Sequence, residues 1–187
     1  FESGNITPLS LMDIVNDQAD SIYYIVKDLP EDVIDAGLRT VKAFGVRSRF
    51  IHLEYFVLNA DQKGLGKKGD IIGLEVNMRP AGGYTPDMYN FAYETDVYKI
   101  WADMIAFDKC TLPMDRPHHH CAFVGRRDGK NYKLDDNAVM EKYGSSMKMW
   151  GRIPDALSGA MANQMYVANF DTEEEMMAFY EDMAAQY

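Results

Sequence analysis

Two stretches in the first half of the chain alternate between apolar and polar residues, which is the pattern of half-buried β-strands. In residues 49–58, His52 and Glu54 share one face. In residues 70–79, Glu75, Asn77 and Arg79 share one face. The other face of this second stretch is apolar throughout and comprises Ile72, Leu74, Val76 and Met78. We therefore expect the apolar face to be buried and the polar face to form a working surface.

The residues between these stretches, 59–69, are rich in Gly, Asn, Asp and Lys, which favours a turn. The two strands are therefore predicted to pair as an antiparallel hairpin, although the pattern does not fix their register. If the carboxylates of Glu54 and Glu75 share a face, they repel each other unless a proton or a cation lies between them. Magnesium is the natural cation, because it prefers hard oxygen ligands and is usually held by one or two carboxylates. Asn77 would add a neutral oxygen.

Two strings of residues make a resemblance to a known family specific. The first is His-Leu-Glu-Tyr-Phe at 52–56, and the second is Leu-Glu-Val-Asn-Met-Arg-Pro-Ala-Gly-Gly at 74–83. Together they resemble the C-terminal part of the ATP-grasp domain of carboxylate-amine ligases, biotin carboxylases and carbamoyl-phosphate synthases. The resemblance implies that Glu54, Glu75 and Asn77 hold the magnesium ions of MgATP. It also implies a catalytic role for Arg79 near the transferred phosphate or the substrate carboxylate.

Three further residues are candidates for cofactor binding. Gly82 and Gly83 free their backbone N–H groups to approach an anion at a helix start, so this turn can contact the nucleotide or receive the acceptor carboxylate. His52 is either a hydrogen-bond partner behind the metal ligands or a tolerated residue of the cleft. The connection between the two strands is longer than in the family's commonest members, which leaves the ligase subfamily open.

The resemblance implies an ATP-dependent carbon–nitrogen ligase that activates a carboxylate as an acyl phosphate for attack by an amine. The alternative is a binding or regulatory module that keeps the fold without catalysis. The chain opens with Phe1-Glu-Ser-Gly-Asn-Ile, which is typical of a strand, a turn and a second strand already in progress. No match to the family's phosphate-binding lysines is found. We therefore expect a missing N-terminal part of the same chain, without which this piece is inactive.

The remaining pattern predicts an α+β fold: the C-terminal half of an ATP-grasp domain, with an antiparallel sheet and flanking helices, over residues 1–111, and a small α+β subdomain over residues 112–187. A helix after Leu29 has an apolar stripe and should pack beside the Glu54 strand. Further helices are predicted over 85–92, 94–107 and 136–143, and further strands over 118–127, 146–153 and 164–170. Asp171 and Glu174 make a capping-box-like start for a last helix.

Two other motifs favour ordinary structure over chemistry. The string Gly64-Leu-Gly-Lys-Lys-Gly69 matches G-x-G-x-x-G, but it precedes a strand where a dinucleotide-binding loop precedes a helix, so a hairpin turn is expected. In the triplet His118-His-His120, strand alternation places the middle histidine opposite its neighbours. Packing or solvent-facing histidines are therefore expected there, and no zinc site is predicted.

Composition limits the partners. The chain has 187 residues, of which 47% are hydrophobic, so it can bury a core. Its formal net charge of −10 disfavours nucleic acid and anionic membranes, because binding phosphate needs clustered Lys and Arg. No apolar run reaches the roughly 20 residues of a membrane helix. Cys110 and Cys121 have no metal-site spacing, which favours free thiols in the cytoplasm. Assembly as a homodimer is compatible with the sequence.

Overall fold

The computed structural model contains both β-strands and α-helices, and it describes residues 3–4, 20–27, 29–112 and 118–187. The strands are β1 Ser3–Gly4, β2 Ser21–Ile25, β3 His52–Val57, β4 Ile71–Asn77, β5 His120–Arg126, β6 Met147–Arg152 and β7 Gln164–Phe170. The helices are α1 Glu31–Ala43, α2 Thr85–Tyr93, α3 Val97–Phe107, α4 Asp136–Tyr143, α5 Asp155–Met161 and α6 Glu173–Ala184. None of the helices in these ranges is long and apolar enough to cross a membrane. Most of the strand and turn predicted at the start of the chain lies outside the described residues.

The strands form two sheets. One has five strands in the order β1-β2-β5-β7-β6, and the other is the hairpin of β3 and β4. Every pair of neighbouring strands in both sheets is antiparallel. This mixed α+β architecture, with antiparallel sheets and flanking helices, confirms the predicted fold class.

The chain folds into two compact units. Unit 1 contains the described parts of Phe1–Lys27, Asp87–Thr95 and Met114–Tyr187, and unit 2 contains those of Asp28–Pro86 and Asp96–Pro113. The five-stranded sheet therefore belongs to unit 1 and the hairpin to unit 2. The predicted division at residues 111 and 112 stays a prediction, because compactness groups segments in space and does not define the domains of a family.

The core of unit 1 lies between its sheet and helix α6. Met176, Phe179 and Met183 recur at helical spacing along α6, and all three are fully buried. They pack with buried residues of β5 and β7, among them Val124 and Tyr166. The central strands of this sheet are therefore the most buried part of the described chain.

The start of α6 differs by one residue from the prediction. Thr172, and not Asp171, is the N-cap: its hydroxyl accepts a hydrogen bond from Glu175 N at 3.2 Å, and Glu175 Oε2 accepts one from Thr172 N at 3.3 Å. Asp171 with Glu174 and Thr172 with Glu175 both have the spacing of a capping box, so the sequence alone does not decide which pair caps the helix. Helix α5 was not predicted, because its seven residues bury no side chain and have no apolar stripe.

In unit 2, α1 packs on the hairpin as predicted, but through small and polar residues. Tyr55 Oη lies 2.7 Å from Thr40 Oγ1 and 3.3 Å from the carbonyl oxygen of Ala36. The apolar stripe that predicted this contact is largely exposed instead, with Leu38 at 64%. The apolar face of β4 was also expected to be buried, yet Leu74 is 56% exposed. The two-stranded sheet and the helices of unit 2 offer too little surface to cover these side chains.

Candidate functional site

The register of the hairpin places the four polar residues of its strands in two cross-strand pairs. Glu54 lies directly opposite Glu75, and His52 lies directly opposite Asn77. Residues opposite each other in an antiparallel pair project to the same face, with their Cβ atoms about 5 Å apart. All four side chains therefore share one face. This is the register that the sequence left open.

An irregularity in the hairpin adjoins the two carboxylates. After the Glu54–Glu75 pair, Tyr55 pairs with Gly73, so Leu74 is an extra residue on β4. Bulges of this kind change the direction of side chains and are frequent beside functional sites. Because the Tyr55 side chain points to α1, its neighbour Glu54 points to the side of the hairpin away from that helix. The polar face is therefore free of α1.

The two carboxylates have little compensating positive charge. His52 Nε2 lies 3.5 Å from Glu54 Oε1, and both side chains are partly exposed. Within the described ranges, no Lys, Arg or His side chain forms an ion pair with Glu75. Like charges directly opposite each other on a sheet are destabilising. A cation between these two side chains would remove that repulsion.

Two buried polar atoms on the same face have no hydrogen-bond partner, namely His52 Nδ1 and Asn77 Nδ2. A buried donor or acceptor that stays unpaired costs free energy. The two ends of an amide exchange places by rotation, so Asn77 can present its oxygen at the same position. These atoms are consistent with a polar ligand or ion on this face.

The other predicted site residues follow β4. Arg79 is exposed, and its Nη1 donates a hydrogen bond to its neighbour Pro80 O at 2.9 Å. The carbonyl of Gly82 accepts a hydrogen bond from Thr85 N at 3.3 Å where α2 begins. Gly83 has φ of 59°, a left-handed conformation that favours glycine. The glycine turn therefore does precede a helix, as the sequence predicts, but no hydrogen bond or ion pair among the described residues joins it or Arg79 to the carboxylate pair.

The family resemblance implies a magnesium ion, and this set offers the oxygen ligands that such an ion prefers. Two carboxylates and one amide oxygen suit Mg²⁺, which keeps several waters and is otherwise held by substrate phosphates. In the described part of the chain, no group of three or more His, Cys, Asp and Glu side chains is arranged to hold a metal ion. The set therefore fits a cation that is shared with a phosphate ligand, and it does not form an all-protein metal cage.

The sequence reasoning missed a second group of polar side chains, which lies in unit 1. His119 Nδ1 is 2.9 Å from Asp171 Oδ1, and His119 Nε2 is 3.6 Å from Glu94 Oε1. These residues line a cleft together with Ser145, Ser146 and Lys148. No local pattern signals this group, because its members come from four distant segments. The pairing of β5, β7 and β6 brings three of these segments together, and the fourth contains Glu94, which follows α2.

Comparisons with known proteins bear on the fold. No protein-family model and no curated protein matches the sequence. The chain is similar to the crystal structure of phosphoribosylglycinamide synthetase from Anaerococcus prevotii, an ATP-grasp enzyme, with a TM-score of 0.59 and 11% sequence identity. The similarity covers 97% of this chain and 46% of that chain, so this chain spans less than half the length of that protein. At this identity the match shows the fold alone: this chain has the fold of part of an ATP-grasp enzyme.

Proposed function

We propose that this chain is the metal-binding part of an ATP-dependent carbon–nitrogen ligase, which activates a small-molecule carboxylate as an acyl phosphate for attack by an amine. The observation that carries the proposal is the register that sets Glu54 opposite Glu75 and His52 opposite Asn77. The ATP-grasp fold supports it. The chain would supply the floor of the MgATP site.

The roles of the metal ligands follow from their chemistry. When MgATP is bound, ATP is the phosphoryl donor and the magnesium ion neutralises the negative charge of its phosphates. Glu54 and Glu75 would hold the ion from opposite strands, and Asn77 would add a neutral oxygen beside the phosphate and water ligands. Without the ion, the two carboxylates repel each other across the hairpin. Charge repulsion thus makes this face selective for a cationic centre.

The remaining residues bind and orient the substrates. Arg79 is exposed, and its guanidinium donates a hydrogen bond to the neighbouring carbonyl of Pro80, so it can reorient toward a phosphoryl group. Gly82 and Gly83 present backbone N–H groups to the nucleotide or to the acceptor carboxylate. His52, at 3.5 Å from Glu54 Oε1, holds that carboxylate in position for the ion.

A further polypeptide segment is part of the proposal. Twelve of the fifteen exposed large hydrophobic side chains of the described residues belong to unit 2, including Trp101 and Ile105 on α3. Exposed apolar surface on this scale is typical of surfaces that other polypeptide covers. We therefore propose that an N-terminal part of the same protein covers unit 2 and completes the ligase.

Cellular location and assembly stay predictions from the sequence. Cys110 and Cys121 are both free thiols, and burial raises the pKa of the Cys121 thiol far above its ordinary value. Free thiols are compatible with the predicted cytoplasmic location. The proposal needs no nucleic acid or membrane partner, and homodimer assembly is left to measurement.

The test is ATP turnover by the full-length protein with a panel of carboxylates and amines, followed as phosphate release. Glu75→Gln keeps the size of the side chain and removes its charge, so we expect at least about a 100-fold loss of kcat with an unchanged circular dichroism spectrum. The matched control is Glu31→Gln, in the exposed first turn of α1, which should retain the wild-type rate. Near-normal turnover of Glu75→Gln would refute the assignment.

The second candidate is a binding or regulatory module that keeps the fold without catalysis. The position of Arg79 favours it, because the hydrogen bond of this guanidinium goes to Pro80 O and not to the carboxylate pair. The two candidates differ in one observation on the full-length protein. A module binds divalent cation or nucleotide through the Glu54–Glu75 pair but releases no phosphate with any acceptor in the panel, whereas the ligase releases phosphate only when its acceptor is present.

A further inference from the structure

A cleft of about 640 Å³ lies in unit 1, where β7 ends and β5 and β6 begin. Its volume is within the roughly 300–1,000 Å³ of small-molecule sites. Residues of α2, α4 and α6 complete the lining. All of the lining residues belong to unit 1, whereas the carboxylate pair of the hairpin belongs to unit 2. The cleft is therefore a different feature from the proposed metal site.

Asn169 lines this cleft, and two hydrogen bonds fix its position. Its backbone N donates to Ser146 O at 3.0 Å, and its Nδ2 donates to Phe91 O at 2.8 Å. The second hydrogen bond also fixes the orientation of the amide, because a flipped amide would set its oxygen against the carbonyl oxygen of Phe91. Asn169 Oδ1 is buried and has no hydrogen-bond partner among the described residues. A ligand that donates a hydrogen bond to this oxygen would remove the cost of leaving it unpaired.

The lining offers further acceptors and donors. Asp171 Oδ1 accepts a hydrogen bond from His119 Nδ1 at 2.9 Å, and Glu175 Oε2 accepts one from Thr172 N at 3.3 Å. An ionised carboxylate has about four lone-pair sites, so both carboxylates can accept more hydrogen bonds. The hydroxyl and ammonium donors of the lining are Ser145, Ser146 and Lys148. The cleft is therefore suited to a ligand that donates and accepts hydrogen bonds at several points.

The charges of the lining favour a ligand without net charge. Three carboxylates line the cleft, those of Glu94, Asp171 and Glu175, and so does the ammonium group of Lys148. Since charges of both signs are present, a cation or an anion in the cleft meets some groups of its own sign, which repel it. A neutral ligand avoids this repulsion.

Aromatic side chains give the cleft its apolar surface. Phe91, Tyr143 and Phe170 contribute to the lining. The face of an aromatic ring carries partial negative charge, and it attracts the weakly positive hydrogen atoms of C–H groups. A ring with C–H groups on its faces and polar groups at its rim would use both kinds of surface in this cleft.

We propose that this cleft binds a neutral monosaccharide. Each hydroxyl group of a sugar both donates and accepts hydrogen bonds, so one ring can donate to Asn169 Oδ1 and to the carboxylates while it accepts from Lys148. The C–H groups of the sugar contact the aromatic side chains. This inference is independent of the proposed ligase function, because it uses no metal, no nucleotide and no residue of unit 2.

The test is titration of the ¹⁵N-labelled 187-residue chain with D-glucose, D-galactose and D-mannose, each up to about 10 mM, followed by NMR. We expect at least one hexose to shift the side-chain N–H₂ signals of Asn169 and the amide signals of Ser146 and Lys148 in a saturable way. Cyclohexanol keeps a six-membered ring but has a single hydroxyl group, and it should give no saturable shift.

Two variants of the lining test the contacts. Asn169→Leu keeps the approximate size of the side chain and removes the acceptor, so it should weaken binding at least about tenfold. Lys148→Met removes a donor at the surface of the cleft and should weaken binding about two- to tenfold, the range for one hydrogen bond. The second variant keeps the test decisive if Asn169→Leu fails to fold, which circular dichroism would reveal.

Matched controls alter the same residue types outside the cleft. Asn131→Leu and Lys133→Met change exposed residues of unit 1 that do not line it, so neither should change the affinity. The proposal is overturned if none of the three hexoses binds saturably or if the controls weaken binding as much as the lining variants do. It is also overturned if the corresponding amino sugar or uronic acid binds more tightly than the neutral hexose.

Discussion

At the scale of single residues, the account depends on the pairing of Glu54 with Glu75. Alternation in the sequence was enough to assign each carboxylate to the polar face of its own strand. It could not predict that the two would lie opposite each other, because a connection of more than ten residues allows several registers. The bulge at Leu74 could not be predicted either, because the apolar and polar residues of β4 alternate as they do in a regular strand.

Another carboxylate, that of Asp103, gives a prediction about how stability depends on pH. Asp103 is buried in unit 2, where Lys99 Nζ donates a hydrogen bond to Oδ2 at 2.7 Å and Thr111 donates another to the same oxygen. These hydrogen bonds, first that of Lys99, lower the pKa of Asp103 below its ordinary value of 3.8. A lowered folded-state pKa means that the stabilisation is complete above about pH 4 and is lost as the pH falls through the folded pKa.

The expected result is a smaller loss of unfolding free energy on acidification in Asp103→Asn than in the wild-type chain. Urea unfolding at pH 6, 4 and 3 gives the free energy of unfolding of both proteins. The wild-type chain should be the more stable of the two at pH 6 and pH 4, and this difference in free energy should become smaller only below about pH 4. A difference that stays constant down to pH 3 would contradict the assigned role of Lys99 and Thr111.

At the scale of secondary-structure elements, strand positions were predicted well where the apolar period was clear, as in β3 and β4. Packing faces were predicted poorly where tertiary contacts decide. Helix α1 is the clearest case. Its apolar stripe was predicted to face the hairpin, but the helix faces the hairpin with Thr40 and Ala36, which form hydrogen bonds with the hydroxyl of Tyr55. Hydrogen bonds of this kind depend on how the elements pack in three dimensions, so the spacing of apolar residues along the sequence does not predict them.

The start of α6 gives a prediction that distinguishes Thr172, the N-cap in the structure, from Asp171, the N-cap that the sequence suggested. Thr172→Ala removes the hydroxyl that accepts from Glu175 N, so it should lower the free energy of unfolding by about 1 kcal/mol. Asp171→Asn changes the residue that the sequence favoured as the cap, and it should cost less, because its exposed carboxylate pairs only with His119 among the described residues. Denaturant titration of both variants checks the order, and a larger loss in Asp171→Asn would contradict it.

At the scale of the whole molecule, the two units differ in how much apolar surface they bury. Unit 1 has a continuous core of aromatic and methionine side chains. In unit 2, large apolar side chains on α1, α3 and the hairpin stay exposed, among them Leu38, Ile105 and Leu74. The sequence predicted enough hydrophobic residues for one core, but composition cannot tell which of them find partners within the chain.

This difference predicts unequal protection against hydrogen exchange. Amide protons of β5 and β7 should exchange at least about tenfold more slowly than those of β3 and β4, because a hairpin with little buried surface opens locally at low cost. Exchange followed by mass spectrometry on the isolated chain measures both sets at once. Equal protection in the two sheets would contradict the account, and so would slower exchange in the hairpin.

The central claim is that Glu54 and Glu75 bind a divalent cation together, and paramagnetic broadening by Mn²⁺ tests it most directly. Mn²⁺ accepts the same oxygen ligands as Mg²⁺ and broadens the amide signals of nearby residues. We predict that broadening in the ¹H–¹⁵N spectrum of the chain centres on His52, Glu54, Glu75 and Asn77, and that Glu54→Gln with Glu75→Gln abolishes it. Broadening that centres on Glu94 and Asp171, or that survives in the double variant, would contradict the account.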